Sequence, residues 1–258
     1  ITTRLVGSEM CIRDRNRRGK VTTKYEIVIN KLMNNIKDGV YDKDKKLPTE
    51  DELMNIFSVS RNTIRKAIEI LVNHGYVYQV QGSGIFLRDS QKGKCVSLQE
   101  MNGLTKEFDD KRIESKIIEF SIIDADEKLA EKFKCALNTK IYHIKRVRYV
   151  NGEPIEVEES FYNKEIIPYL NEEICRSSIF NYITNDLKLN IGFADKIISC
   201  DVLTDEECEL LEVEKGEPTL QLENTVFLST GVIFDVSIER YNYRKIKLLS
   251  PTVLQSII

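Results

Sequence analysis

The chain has 258 residues, of which 41% are hydrophobic and 31% are charged, a composition typical of globular proteins and a length sufficient for two domains with separate cores. It has no apolar run near the ~20 residues that span a membrane and no secretory signal, so we expect a cytoplasmic protein with no membrane partner. Residues 21–90 hold 10 Lys+Arg against 9 Asp+Glu, whereas residues 91–258 hold 22 against 30, and this acidic balance excludes the second part as a nucleic-acid surface.

Residues 1–20 do not have the pattern of a folded element. The stretch Leu5–Arg15 resembles peptide sequence produced by translating a sequencing adapter. We therefore expect residues 1–20 to be a disordered or spurious tail. The alternative is a natural basic arm of the kind that enters a minor groove.

The first predicted helix lies between Thr23 and Lys37, and Gly39 is suited to ending it. Its apolar residues keep helical spacing at Tyr25, Val28, Leu32 and Ile36. A polar loop follows at residues 42–46. We expect this helix to pack behind the two helices that come next.

A capping box begins the second predicted helix. Pro48 disfavours helical backbone at Leu47, and Thr49 is followed three residues later by Glu52. A short turn at residues 58–59 then precedes Ser60, which is a good N-cap for a third helix. The pattern predicts two helices joined by a tight turn.

The third predicted helix has two different faces. An apolar stripe is formed by Ile64, Ala67, Ile68 and Leu71. The opposite face carries Arg61, Asn62, Arg65 and Lys66. Arg can bond a guanine edge and Asn an adenine edge, so this face suits a DNA major groove. The alternative is a helical core with a solvated charged face.

A hairpin and a linker are predicted after the third helix. Gly75 suits the left-handed residue that ends a helix. Residues 76–80 and 85–87 are two short strand patterns around a turn that contains Gly82 and Gly84. Residues 89–95 are almost free of apolar side chains, which is typical of an interdomain linker.

These features, in this order, resemble the GntR family of bacterial transcription regulators. The matching segments are Leu-Pro-Thr-Glu at 47–50, Val-Ser-Arg-x-Thr-x-Arg-Lys-Ala at 59–67 and Gly-x-Gly at 82–84. The resemblance implies a winged helix-turn-helix at residues 21–88 that binds a double-stranded DNA operator. The predicted DNA-binding residues are Thr49, Ser60, Arg61, Asn62, Thr63, Arg65, Lys66, Gln81 and Gly82. Many members carry Arg where this chain has Asp51, so one basic contact is missing and the operator sequence of relatives does not transfer.

The remainder of the chain contains an internal duplication. Asp126 aligns with Asp205, Asn151-Gly152 with Thr230-Gly231, and Tyr162 with Tyr241, all at the same offset along the chain. Each copy is predicted to be a short helix followed by a β-hairpin, at residues 126–135 and 141–162 and again at 204–211 and 220–243. Chance alignment is the alternative. Two such copies would share one antiparallel sheet.

A helix is predicted between the two copies. Tyr182, Ile183 and Leu187 keep helical spacing behind Ser177 and Ser178. Ser177 is the predicted N-cap, and the amides behind it would form an anion site.

Residues 96–258 resemble the UTRA effector-binding domain of the HutC-like branch of GntR regulators. The matching segments are 126–137, 142–148, 151–155, 177–180, 216–218 and 239–241. The resemblance implies a chorismate-lyase-like antiparallel sheet flanked by helices, and the whole chain is therefore predicted to be α+β. It also implies a domain that dimerises.

In sugar-phosphate-sensing members of that branch, an Arg-x-Arg pair, a Ser and a Thr hold the phosphate, and carboxylates and a Tyr contact the sugar. The residues of this chain that match those positions are Thr105, Arg146, Arg148, Glu158, Ser178, Asp235 and Tyr241. Alternate residues of a strand share a face, so Arg146 and Arg148 can grip one phosphate. The alternative is a cross-strand charge ladder in which both arginines pair with Glu156, Glu158 or Glu159 and bind no ligand.

Cysteine and histidine usage argues against metal, cofactor and His-assisted hydrolase chemistry. The six cysteines have no Cys-x-x-Cys spacing, and the chain has only His74 and His143. We expect a homodimeric, ligand-responsive repressor rather than an enzyme. Its effector is predicted to be a small anion such as a sugar phosphate. The alternatives are a DNA-binding dimer whose second domain does not sense a ligand, and an enzyme on a chorismate-lyase-like scaffold.

Overall fold

The structure, a computed structural model, describes residues 23–88, 96–98 and 113–250. The predicted tail at 1–20, the predicted linker at 89–95 and the candidate effector residue Thr105 lie outside the described residues. The described residues form two compact units, one up to residue 88 and one from residue 96 onward. None of the helices in these ranges has the length and apolar character needed to cross a bilayer.

Three helices and a hairpin form the first unit. They are α1 Lys24–Lys37, α2 Glu50–Phe57, α3 Arg61–Asn73, β1 Val77–Val80 and β2 Gly84–Leu87. The two strands are antiparallel, with Val77 opposite Leu87. Three predicted helices and the predicted hairpin are therefore confirmed.

Local capping explains where the helices of the first unit begin. Thr49 accepts a hydrogen bond from the amide of Glu52, and the Glu52 carboxylate accepts from the amide of Thr49 at 2.7 Å. Ser60 caps α3 in the predicted way, since its hydroxyl accepts from the amide of Thr63. Gly75 has φ +68°, and its amide bonds the carbonyl of Val72. These are the contacts that start α2 and α3 and end α3.

One apolar core holds the first unit together. The buried residues come from all three helices and the hairpin, and they include Val28, Leu32, Leu53, Ile64, Ala67, Ile68, Leu71, Val77 and Ile85. The stripe predicted for α3 is thus its buried face. Its opposite face is left to solvent.

A six-stranded antiparallel sheet dominates the second unit. The strands are β4 Ile113–Asp124, β5 Lys140–Val150, β6 Glu153–Asn163, β7 Ile191–Val202, β8 Pro218–Leu228 and β9 Ile233–Asn242. Their order across the sheet is β4-β5-β6-β9-β8-β7. Two short strands, β3 Val96–Ser97 and β10 Leu248–Leu249, form a separate parallel pair. The predicted α+β class with a C-terminal antiparallel sheet is confirmed.

The predicted duplication is present, but over most of its length the two copies are separated along the chain by one residue less than predicted. Helix α4 Glu127–Phe133 corresponds to α7 Asp205–Leu211, and β5 corresponds to β8 at the same offset. The offset becomes larger only in β6 and β9, because the loop between β8 and β9 is the longer one. Asp126 therefore corresponds to Thr204, and both residues cap their helices. The predicted match of Asp126 with Asp205 was wrong by one position.

The duplication also contains a strand in each copy that the sequence pattern did not predict. Strands β4 and β7 are both 12 residues long, and their first residues are separated by the same offset as the two helices. They form the two edges of the sheet. Their residues are partly exposed on both faces, so the apolar alternation that indicates a half-buried strand is weak.

Helices cover both faces of the sheet. On one face α4 packs near β9, and α7 packs against β6, so each helix contacts the other copy's hairpin. The other face is covered at one end by α5 Glu172–Arg176 and α6 Ile179–Asn181, which continues as a π-helical turn at Tyr182–Asp186. Its opposite end has an apolar cluster around Tyr241 and Leu248. A polar strip lies between these two apolar ends, and its residues are Arg146, Arg148, Glu156, Glu158, Ser160, Asn224, Asp235, Ser237 and Glu239.

Candidate functional site

The exposed face of α3 presents the predicted DNA-reading residues. Arg61 and Arg65 are 47% and 60% exposed at their side chains, and Asn62 is also exposed. The hydroxyls of Ser60 and Thr63 lie 2.9 Å apart at the start of the helix. The arrangement offers guanidinium, amide and hydroxyl groups on one end of one helix.

Both arginines of α3 contact acidic residues of α2. Arg65 Nε donates to Glu50 Oε2 at 3.0 Å. Arg61 bonds Asp51, and its Nη1 lies 3.8 Å from Glu50. Asp51, the position at which the chain departs from many GntR members, is thus an intramolecular partner of Arg61. Exposed pairs of this kind contribute little free energy, so a phosphate or a base can replace the carboxylates.

The remaining predicted DNA-binding residues have local roles as well. The side chain of Thr49 belongs to the α2 capping box, whose hydrogen bonds lower the pKa of Glu52. The ammonium group of Lys66 lies 4.2 Å from the centre of the Tyr25 ring of α1, a cation–π contact. Gln81 and Gly82 are exposed in the turn between β1 and β2.

Five of the predicted effector residues lie on one face of the sheet. The register pairs Arg146 with Glu158 between β5 and β6. It pairs Tyr162 with Asp235 between β6 and β9. Residues that lie directly opposite in a sheet share a face, so the fold brings Arg146, Arg148, Glu158, Asp235 and Tyr241 to the same surface.

Arg146 is engaged by the protein itself. Its Nε and Nη2 donate to the two oxygens of Glu158 at 2.9 and 2.8 Å, and Nη1 donates to the carbonyl of Cys175 at 2.6 Å. Ser160 donates to Glu158 at 2.6 Å, and Arg148 Nη1 lies 3.6 Å from it. The charge ladder considered as the alternative to a phosphate grip is therefore present, because Arg146 bonds Glu158 twice and Arg148 lies within ion-pair distance of the same carboxylate.

The pKa values of Arg146 and Glu158 shift in the directions that a buried ion pair requires. Burial lowers the pKa of Arg146, but Glu158 and other neighbouring groups together raise that pKa by a larger amount, so the net change is upward. Burial raises the pKa of Glu158, but Arg146 and Arg148 lower it, and the net change is downward. Burial and the charge of Arg146 both lower the pKa of Arg148. Arg146 and Glu158 are therefore both charged at neutral pH.

Asp235 and Tyr241 lie at opposite ends of the strip. Asp235 is 1% exposed, and burial followed by the charge of Glu158 raises its pKa well above the ordinary value. Within the described ranges, Asp235 Oδ1 has no hydrogen-bond donor. The phenol of Tyr241 bonds Glu239.

Ser178, rather than Ser177, is the N-cap of α6. Its hydroxyl accepts from the amide of Asn181 at 3.3 Å, whereas the Ser177 hydroxyl donates to the carbonyl of Ile174. The prediction of Ser177 as the cap was wrong because α5 ends immediately before α6, and Ser177 closes that earlier helix. The placement of Ser178 leaves it partly exposed.

Several polar residues of the strip were missed by the sequence argument. They are Ser160, Asn224, Ser237 and Glu239, all on the face of Arg146. Glu156, which the sequence argument considered only as an ion-pair partner of the arginines, lies on the same face. Alternation of polar residues along β6 and β9 was the available signal, but only the pairing of these two strands in space shows that the two sets meet. No group of three or more His, Cys, Asp or Glu residues suited to a metal ion occurs in the part of the chain that the structure describes.

Two family profiles match the chain. Residues 24–87 match the family described as bacterial regulatory proteins, gntR family, and residues 109–247 match the UTRA domain. Together these two ranges include both candidate sites, apart from Thr105.

Individual relatives have the same two-part organisation. The chain is 38% identical to the uncharacterized HTH-type transcriptional regulator YydK of Bacillus subtilis over 86% of this chain and 94% of that protein. The crystal structure of YydK has a TM-score of 0.77 and covers 87% of this chain and 98% of its own. The HTH-type transcriptional repressor NagR of B. subtilis is 32% identical over 85% of this chain and 90% of its own length. The effector binding domain of the B. subtilis trehalose repressor is 25% identical, with a TM-score of 0.51, over 55% of this chain and 99% of that domain. These relatives are transcription regulators and not enzymes.

Proposed function

Because the chain belongs to the GntR family of bacterial transcription regulators, in the HutC-like branch with a UTRA domain, we propose that it is a homodimeric repressor released from its operator by a small effector. The observation that carries the DNA-binding half is the Ser60-capped start of α3, where Arg61 and Arg65 are exposed. A dimer presents two such helices to half-sites on successive major grooves.

The effector half of the proposal rests on the polar strip of the sheet. Arg146 and Arg148 lie in a buried setting between two apolar clusters, where an anion is poorly screened by water. We propose a phosphorylated sugar as the effector, with Arg148 and Ser178 on the phosphate and Asp235 on a hydroxyl. Thr105 stays a candidate by resemblance. The trehalose repressor, named for a sugar, supports the sugar part of this proposal.

Release requires that the effector bind one arrangement of the dimer better than the other. An effector shifts such an equilibrium only by its differential affinity for the two states. We do not propose enzymatic turnover, because the relatives of this chain regulate transcription.

The DNA-binding half is tested with operator sequences selected from a random DNA pool and measured by mobility shift. Arg65→Ala should lose about 1–3 kcal/mol of specific binding, roughly 5- to 150-fold, because one base or phosphate contact disappears. Lys128→Ala is the control, because it removes the same charge from an exposed site on α4. Equal binding by wild type and Arg65→Ala contradicts the placement of α3.

The effector half is tested with the same operator and a panel of sugar phosphates. A phosphate that releases wild type should fail to release Arg148→Ala, while the effector-free affinity of that variant is retained. Thermal unfolding of Arg148→Ala shows whether the fold is kept. If Arg148→Ala is released normally, the assignment of Arg148 is wrong. If no panel member releases wild type, a non-sensing second domain is favoured.

A further inference from the structure

Among the residues that the structure describes, the polar strip contains more carboxyl groups than cations. Four carboxyl side chains face it, from Glu156, Glu158, Asp235 and Glu239, against the guanidinium groups of Arg146 and Arg148. Arg146 and Glu158 neutralise each other through two hydrogen bonds. Arg148, which also lies 3.6 Å from Glu158, and Lys196 of β7 are the remaining described cations near the other three carboxyls.

Glu156 and Glu239 form a pair across β6 and β9. The register places Glu156 opposite Tyr241 and Glu158 opposite Glu239, so Glu156 and Glu239 are diagonal neighbours, roughly 7–8 Å apart at their backbones. The Tyr241 phenol bonds Glu239, and Asn224 Nδ2 donates to Glu239 Oε1 at 3.0 Å. The Tyr241 phenol is also within hydrogen-bond reach of Glu156, so this one side chain ties the two carboxyls together at one end of the strip.

Hydrogen-bond donors are missing at this end of the strip. Glu156 is 2% exposed, yet within the described residues its Oε2 has no donor. Asn224 Oδ1, on the adjoining strand, also lacks one in the same ranges. A buried acceptor without a donor costs about 1–3 kcal/mol, so a bound group that donates several hydrogen bonds would be favoured here.

We propose that Glu156 and Glu239, held by Tyr241 and Asn224, are the subsite for a primary ammonium group of the effector. This inference rests on the proposed function, because it assigns part of the ligand of the same strip. An ammonium group carries three donors and one positive charge on a compact head. A hydroxyl carries one donor and no charge, so it leaves the carboxyl pair without a counter-ion.

The electrostatics of these two carboxyls agree with this assignment. Burial and the nearby Glu239 raise the pKa of Glu156 well above its ordinary value. Burial and Glu158 raise the pKa of Glu239, while Tyr241, Lys196 and Arg148 lower it in part. The charged form of both carboxyls is therefore costly in this setting, and a bound ammonium group would stabilise it.

The test uses matched compounds that differ only in an amine or a hydroxyl. The pairs are glucosamine 6-phosphate with glucose 6-phosphate, and O-phosphoserine with 3-phosphoglycerate. Calorimetry on the full-length protein should show at least one amine binding ~10-fold or more tightly than its hydroxyl partner, the difference between a charged and a neutral hydrogen bond.

The variants separate this subsite from the rest of the strip. Glu156→Gln and Glu239→Gln keep the side-chain shape and should abolish the preference for the amine while retaining the melting temperature. Glu223→Gln is the control, because Glu223 lies on β8 next to the Glu239 partner Leu222 but on the opposite face. The inference is overturned if no amine binds, if the hydroxyl partners bind as tightly, or if both variants keep the preference. If the effector-free wild-type protein does not bind the operator, the proposed function is overturned instead.

Discussion

Replacing Arg146 with Met should destabilise the second unit through the charge left on Glu158. The substitution removes hydrogen bonds of 2.9 and 2.8 Å to Glu158 and one of 2.6 Å to the Cys175 carbonyl. Both side chains of the pair are almost fully buried, at 5% and 8% exposure. Ser160 and Arg148 still contact Glu158 in the variant, but neither replaces a two-point ion pair.

The size of the effect follows from the alternatives open to Glu158. Removing one member of a buried ion pair costs about 3–5 kcal/mol. Glu158 can lose its unpaired buried charge by becoming protonated. For a carboxyl of ordinary pKa 4.5, protonation costs about 3.4 kcal/mol at pH 7 and about 0.7 kcal/mol at pH 5. We therefore expect a loss of ~3 kcal/mol at pH 7, roughly 10 °C in melting temperature, and a much smaller loss at pH 5.

Unfolding can be followed by hydrogen exchange of β5 and β6 peptides in the full-length protein at both pH values. Lys145→Met is the matched control, because Lys145 lies next to Arg146 on the opposite face and pairs with the exposed Glu206. That change should cost at most about 1 kcal/mol. The double variant Arg146→Met/Glu158→Gln should recover part of the loss at pH 7. A loss of equal size at pH 5 and pH 7 would refute the reasoning.

Two further predictions concern the opposite face and an edge of the sheet. Hydrogen bonding to Glu159, together with Glu119, raises the pKa of His143 above 6.5 despite its burial, so its stabilising effect is complete below pH 6.5 and is lost as the pH rises through the raised value. The stability difference between wild type and His143→Gln should therefore shrink on going from pH 6 to pH 9 in urea unfolding, and a constant difference would contradict the assignment. A Cβ at Gly192 would lie 2.8 Å from Ser229 Cα and 2.9 Å from its amide nitrogen, so Gly192→Ala should cost roughly 1–3 kcal/mol. An unchanged melting temperature of Gly192→Ala would show that the strand can shift freely.

The first unit was predictable because its signals are local. The Thr49 capping box, the Ser60 cap, the apolar stripe of α3 and the left-handed Gly75 each depend on a short stretch of neighbouring residues. A pattern of this range can be recognised without knowledge of the fold. The contacts of Arg61 and Arg65 with α2 were not predicted, since they depend on how two helices cross.

The hairpins of the second unit were predictable for the same reason, and its edge strands were not. Asn151 and Gly152 both have positive φ, at 55° and 84°, as the type I′ turn predicted from this dipeptide requires. Edge strands β4 and β7 lack a fully buried face, so their sequences carry no clear alternation. The error of one position in the repeat offset arose because the longer second loop shifted the match between the Tyr residues.

The sequence by itself determined the two-part organisation, the helix-turn-helix and the candidate arginines, because these follow from capping, periodicity and family motifs along the chain. Only the tertiary structure decided that Arg146 pairs with Glu158 and that Glu156 and Glu239 stand beside Tyr241. The physical reason is that β6 and β9 are adjacent in the sheet, although the whole of β7, α7 and β8 separates them along the chain. The charge balance of the strip depends on which carboxyls that pairing brings to one buried face.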